Sequence, residues 1–224
     1  MVNLIDIGAR GKLPNPWKRK YINRLLLCDA SIKMRKNGKC RVLKKCIYND
    51  NEVRLFYYYK KADISSLFKP NFPVIKKLGG NTDKYSLIKT QEVECIRLDS
   101  LLSVYKESYQ FIKCDTQGAD LAVLQGMGNF IDDMIGVHCE CFLAPLYKDI
   151  PSFYDICSFL DGHGLKPSRI IRRPEAWADI LFVRDEKSKV RKLIDKLYSR
   201  YESYNIELLA RNFTFDSFGE TDEA

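Results

Sequence analysis

The sequence has no apolar run long enough to span a bilayer, and its N-terminus lacks the charged-then-apolar order of a signal peptide. A soluble, cytoplasmic protein is the expectation. No C-x-x-C pair offers zinc-type spacing. The eight cysteines (Cys28, Cys40, Cys46, Cys95, Cys114, Cys139, Cys141 and Cys157) fall mostly inside apolar strand-like runs, which predicts reduced, mostly buried thiols and no disulfide framework. G-x-G-x-x-G is absent, which argues against a dinucleotide-dependent oxidoreductase. No internal repeat is present.

What remains is a 224-residue chain, 46% apolar, enough for one substantial core. Its net charge of +8 permits an anionic partner such as nucleic acid, a nucleotide-sugar or a lipid headgroup. The basic residues, however, interleave with apolar ones at Lys18-Arg19-Lys20, from Lys33 to Lys45 and from Lys187 to Arg200, as on solvated helices and strands. Nucleic acid is therefore not the favoured partner.

The stretch that organises the rest is Asn3-Leu4-Ile5-Asp6-Ile7-Gly8-Ala9-Arg10-Gly11. A short apolar run carries an acid near its carboxyl end and passes into a turn punctuated by two glycines, where a ligand's polar group can approach the backbone. Such a D-x-G-x-x-G ending suits an adenosyl cofactor; a plain strand and turn is the alternative. Asn15 as N-cap and Pro16 as first residue predict a short helix through Trp17 and Tyr21. Arg24 to Cys28 reads as the second strand, and Asp29 follows it where doubly wound folds grip the two hydroxyls of a ribose. A turn or capping role for Asp29 competes with that.

Arg41 to Tyr48 and Glu52 to Tyr59 read as a hairpin across Asn49-Asp50-Asn51. Ser65, Ser66 and Asn71 lie in the loop beyond it. With Tyr57 to Tyr59 nearby they make a candidate acceptor pocket, or else a polar surface loop. Glu92 to Leu98 alternates like an added strand, and a helix holding Leu101, Leu102 and Tyr105 follows. Phe111 to Cys114 is a buried strand ending at Asp115, and Leu121, Val123, Leu124 and Met127 give the following helix a core face. Lys113 and Asp115 share a strand face, and a lysine there needs an anionic neighbour, Asp115 or Glu140. Met134 to Phe142 places His138 and Glu140 on one face and Val137, Cys139 and Cys141 on the other.

Ser152 to Leu160 reads as helix, Lys166 to Arg173 and Trp177 to Val183 as a closing strand pair, and Glu186 to about Tyr201 as an amphipathic helix. The expected division is residues 1 to 185 as one domain, 186 to 211 as a helical extension and 212 to 224 as a mobile acidic tail. Strands alternating with helices argue for an α/β sheet with an antiparallel edge. Asp6, Asp29, Asp115 and Glu140 all fall at strand ends, where ligands collect in such sheets.

Taken together, Leu4 to Ala9, Arg97-Leu98-Asp99-Ser100-Leu101, Phe111 to Asp120, Glu140, Pro145-Leu146-Tyr147 and Ala178 to Val183 resemble the FkbM-type S-adenosylmethionine-dependent methyltransferases, in order over roughly residues 3 to 185. The resemblance implies a Rossmann-like class I methyltransferase fold: a mostly parallel seven-stranded sheet with an antiparallel edge strand, here with an extra β-hairpin. It implies S-adenosyl-L-methionine as cofactor and transfer of its methyl group to a hydroxyl of a small-molecule or glycan acceptor. Asp6, Gly8, Ala9, Arg10 and Gly11 would line the methionine side of the cofactor, and Asp29 would hold its ribose. Asp115 would lie near the reacting methyl. The chain departs from the family at Lys12 to Pro16, which intervene before the first helix. The motif also begins almost at Met1, so a segment that helps cover the cofactor or recruit the acceptor is expected to be missing or supplied elsewhere.

A sugar hydroxyl needs a base within hydrogen-bond reach, and Asp115 is the first candidate, then Glu140, then His138. His138 reads first as a satisfied core histidine. No spacing demands a metal. The competing readings are a methyltransferase-like scaffold without activity and a nucleic-acid methyltransferase, the latter opposed by the absence of an Asn/Asp-Pro-Pro-Tyr/Phe run after Cys114.

Overall fold

A computed structural model describes residues 1–9, 13–30, 39–172 and 176–205. In chain order it contains β1 (Val2–Ile7), β2 (Ile22–Cys28), β3 (Cys40–Leu43), β4 (Cys46–Tyr48), β5 (Val53–Tyr59), α1 (Phe72–Lys77), β6 (Leu87–Arg97) and α2 (Leu98–Tyr105). These are followed by β7 (Phe111–Cys114), α3 (Asp120–Gln125), β8 (Gly136–Phe142), α4 (Phe153–Gly162), β9 (Leu165–Arg172), β10 (Trp177–Arg184), α5 (Lys189–Tyr198) and β11 (Glu202–Ser203). Among the described residues no helix is long and apolar enough to cross a membrane.

The main sheet runs β3-β2-β1-β7-β8-β10-β9-β11. Its first five strands are parallel, and β10 is antiparallel to both neighbours. One expectation is corrected here. The sheet has eight strands where seven were expected, because Glu202 and Ser203 pair with Ile170 and Arg169 on the outer edge of β9. The edge strand β11 runs antiparallel to β9, and β10 is a second antiparallel strand inside the sheet, between β8 and β9.

The strands β1, β2, β7 and β8 read as apolar runs because both of their faces are covered. On one face Ile5, Leu26, Ile112, Val137 and Ile180 pack beneath α2, α3 and α4 through Leu98, Leu102, Val123, Leu124 and Leu160. On the other face Leu4, Leu25, Phe111 and Leu181 pack against Trp17, Ile194 and Tyr198. Trp17 meets the Phe111 ring edge-on at 4.7 Å, tying the segment after β1 to the centre of the sheet. α4 begins at Ser152, which forms a reciprocal capping box with Asp155.

The helix expected from Asn15 to Tyr21 is a single 3-10 turn at Arg19–Tyr21. The Asn15 side chain that would have capped it accepts a hydrogen bond from Arg200 instead. The strand expected from Arg41 to Tyr48 breaks at Lys44 and Lys45 into β3, in the main sheet, and β4, in a second sheet ordered β4-β6-β5. The hairpin expected between residues 41–48 and 52–59 does not form. β5 pairs antiparallel with β6, which arrives about thirty residues later, and β6 lies between β5 and β4. The helix α1 was not expected; Pro73 falls within its first turn, and Val74 and Ile75 are buried. The C-terminal helix is capped by Ser188 and spans only Lys189–Tyr198. Residues 206–211 of the expected extension and the tail from 212 onward lie outside the described residues.

Candidate functional site

The face of the sheet that meets Trp17 and Tyr198 is apolar only toward the amino ends of its strands. One step further along, strand register sets Asp6, Lys113 and His138 side by side across β1, β7 and β8. One further step along, Glu140, Asp179 and Arg172 form the next row across β8, β10 and β9. Alternation within each strand thus brings the polar residues to one side.

Lys113 is the single cation in the first row. Its Nζ lies 2.9 Å from Asp115 Oδ2 and 3.8 Å from Asp6 Oδ1. Burial works against its charge, but Asp115 and Asp6 outweigh burial and hold the ammonium above its ordinary value. The partner that Lys113 requires is therefore this pair of aspartates, and not Glu140. The carboxyl of Asp6 is pushed up to about 7 by burial, despite the opposing pull of Lys113. Glu140 is raised well above its ordinary value by burial and then by Asp115 and Asp120. Asp179 is pushed up to about 7 by burial and by Asp115. His138 is buried among these groups, and burial together with Lys113 depresses it to about 3, so its ring is neutral.

The loop after β7 ties the rows together. Gln117 adopts φ +55° and Gly118 φ +104°, the left-handed region where glycine is at ease and a glutamine is held by its contacts. Those contacts are complete: the Gln117 amide donates to Glu140 Oε2 at 2.7 Å and to Asp115 Oδ1 at 3.3 Å, and its oxygen accepts from the Tyr147 hydroxyl at 2.9 Å. The Ser66 hydroxyl donates to the Gln117 carbonyl at 2.7 Å. Asp115 does not cap the helix that follows; α3 begins only at Asp120, whose buried carboxylate accepts from Thr116.

Three cavities open along the carboxyl ends of the strands. The first, about 330 Å3, is lined by Asp29, Ile47, Phe56, Tyr58 and Ser65 among others. The second, about 650 Å3, is walled by Tyr85, Tyr147 and Trp177, with Glu140 and Asp179 within it and Lys84 and Arg172 exposed on its lining. The third, about 390 Å3, is lined by Asp6, Asn15, Lys113, His138 and Tyr201. Asp115 lines all three, and Gly8 lines the first and the third.

Gly8 has φ +76°, and a Cβ there would lie 2.0 Å from the Asp115 carbonyl oxygen, so only glycine allows β1 and β7 to end this close together. The amides of Gly8 and Ala9 both donate to the Cys28 carbonyl, at 2.9 and 3.2 Å. What Gly8 offers the cavities is therefore its open Cα surface. Ala9 is buried.

The structure thus brings together Asp6, Gly8, Asp115, Glu140 and His138, and sets Asp29 at the far wall of the first cavity. Ser65 lines that first cavity, while Ser66 is buried with its hydroxyl bonded to backbone. Asn71 starts α1, its amide donating to the Leu146 carbonyl. Arg10 and Gly11 lie outside the described residues. Sequence reasoning missed Gln117, Tyr147 and Asp179 as site residues. For Asp179 a signal was present: it is the lone acid inside the apolar run Trp177 to Val183, where a carboxylate is costly unless used.

Arranged this way, the site can hold a nucleoside against aromatic and aliphatic walls, a cationic group beside Asp6, and a hydroxylated ligand among tyrosines and tryptophan, with one carboxylate touching all three. A family model described as the Methyltransferase FkbM domain matches residues 14–167. No curated protein and no solved structure matches the chain.

Proposed function

Since the chain belongs to the FkbM methyltransferase family, we propose that it is an S-adenosylmethionine-dependent O-methyltransferase whose acceptor is a hydroxyl on a sugar, glycan or related small molecule. The observation that carries this reading is the meeting of three cavities at Asp115. A two-substrate transfer needs two binding spaces that touch at one point, and a long cofactor with a nucleoside end and an amino-acid end fills two of the three. The β1 turn and Asp179 lie outside the matched residues 14–167, so their roles rest on geometry.

The residues present fit the cofactor. Among the described residues Asp6 Oδ1 is buried without a hydrogen-bond partner, and the Lys113 ammonium that ion-pairs with it stands off at 3.8 Å, which leaves the oxygen able to accept a hydrogen bond from a second ammonium. Asp29 stands at the end of β2, where it would hold two ribose hydroxyls, and Ile47, Phe56 and Tyr58, which line the same cavity, would meet the base. When bound, S-adenosylmethionine supplies a methyl carbon on a sulfonium, open to in-line displacement. The chain's own part is to set an acceptor oxygen in line and to receive its proton. Correct placement is worth about 7 kcal/mol or more.

Tyr85, Tyr147 and Trp177 offer ring faces to a sugar. Asp115 takes or orients the hydroxyl proton, its position fixed by Lys113 and Gln117. Asp179, with its carboxyl near 7, is the second candidate on the acceptor side. Glu140 serves as the anchor for Gln117. Lys84 and Arg172 suit an acceptor that carries a phosphate or carboxylate away from the reacting hydroxyl.

The test is calorimetric titration with S-adenosylhomocysteine, native against Asp29→Ala, followed by transfer of labelled methyl from S-adenosylmethionine to a panel of neutral and acidic sugars. Micromolar binding that weakens at least tenfold in the variant, with label appearing on a hydroxyl, is the expected result. A folded native chain that binds neither cofactor nor product overturns the reading.

A further inference from the structure

His138 has no part in that chemistry, yet its surroundings are built. Its Nδ1 lies 3.2 Å from the Tyr198 hydroxyl, and the same hydroxyl lies 3.2 Å from Trp17 Nε1. Trp17 Nε1–H can only donate, so the hydroxyl accepts from Trp17. The hydroxyl's own proton needs an acceptor, since Tyr198 is fully buried, and Nδ1 is the acceptor beside it. His138 is neutral and carries one proton, which this arrangement assigns to Nε2. Among the described residues that Nε2 is buried and has no hydrogen-bond partner, and neither has Asp6 Oδ1, whose ion-pair partner Lys113 stands at 3.8 Å, beyond hydrogen-bond reach. Both residues line the same cavity of about 390 Å3, one as donor and the other as acceptor.

We infer that this cavity is a receptor for a free α-amino-acid group, in which Asp6 takes the ammonium and the Nε2–H of His138, fixed by the Trp17–Tyr198 relay, donates to the carboxylate. Lys113, which lines the same cavity, adds the positive charge that a carboxylate seeks. A histidine held in one tautomer is a directional donor that stays neutral, so it serves the carboxylate without adding a second cation beside Lys113. The inference rests on the methyl-transfer reading for the identity of the ligand, the amino-acid end of S-adenosylmethionine or of its product. Trp17 and Tyr198 are positioning residues that act through His138.

The test uses the full chain and two ligands that differ only at that end: S-adenosylhomocysteine, which has the amino-acid group, and 5′-methylthioadenosine, which does not. His138→Ala is expected to weaken S-adenosylhomocysteine by about tenfold or more and to leave methylthioadenosine within about twofold. His138→Gln, which returns an N–H donor near Nε2, is expected to recover part of the loss. Nitrogen-15 spectra of the native imidazole are expected to show the Nε2–H tautomer, and Tyr198→Phe to mix the two tautomers. If His138→Ala does not fold, His138→Gln and the native spectrum carry the test. Undiminished S-adenosylhomocysteine affinity in a folded His138 variant, equal losses for both ligands, or a native Nδ1–H tautomer overturns this inference alone. A native chain that binds neither ligand overturns the methyl-transfer reading together with it.

Discussion

On β7, Ile112 packs into the cluster beneath α2, α3 and α4, while Lys113, the next residue, faces the opposite way and ion-pairs with Asp115 and Asp6. The same division holds on β8, where Val137 and Cys139 join that cluster while His138 and Glu140 line cavities. One face of the sheet is thus apolar along its length, and the other gives up apolar burial over half its length to hold charges. The difference is one of surroundings: the helix-covered face supplies cohesion, and the other face holds buried carboxyls that work against cohesion and line cavities.

Substitutions on the two faces should separate accordingly. The largest effect is expected from Asp115→Asn, which should cut turnover by about 10²- to 10⁴-fold while the affinity for S-adenosylhomocysteine holds and the melting temperature falls, because Lys113 loses the nearer of its two carboxylates, read by initial rates beside a thermal scan. Retained turnover would remove Asp115 from the chemistry. Next comes Ile112→Ala, expected to cost about 2–5 kcal/mol in urea unfolding while the folded fraction binds the cofactor product as before. A change in affinity as large as the change in stability would mean that the two faces are not independent.

Asp179→Asn should move stability the other way, and its sign follows from the carboxyl near 7. The unfolded chain has released this proton above its ordinary value near 3.8, whereas the folded chain keeps it until about 7. Native stability therefore falls as pH rises through that window and stays lower above it. The amide variant escapes this cost, so it should be the more stable by on the order of 1–3 kcal/mol at pH 8, with the gap closing toward pH 4. An equal gap at both pH values would show that charge is not the cause. The smallest effect is expected at Lys84→Glu, about two- to fivefold in KM for an acidic acceptor and none for a neutral one.

The apolar strands could be read from sequence because two-sided burial leaves continuous runs such as Leu25 to Cys28 and Ile180 to Val183. Their carboxyl ends located Asp6, Asp115 and Glu140 at the site. Pairing across distance was not legible: β5 is followed within six residues by a loop, and nothing local says that its partner is β6 and not the strand before it. The helix forecast at Asn15 failed for a similar reason, since a residue 185 positions away takes its side chain. Gln117 carries no motif. Its importance comes from a left-handed backbone that aims one amide at two carboxyls, a fact of geometry with no trace in residue type.

The position of β1 in the middle of the sheet has a consequence for how the chain comes to be folded. Its neighbour β2 begins at Ile22, soon after β1 ends at Ile7, but its other neighbour, β7, is remote: Asn3 on β1 bonds to Gln110, 107 residues later, at the threshold of that strand. As the chain emerges from a ribosome, β1, β2 and β3 can assemble early, leaving the far edge of β1 as an open template until residues 111–114 arrive. So non-local a pairing makes folding slow and exposes an apolar edge meanwhile. Asp6 meets Lys113 only when that edge closes, so no fragment of this chain that ends before β7 can bring the two together.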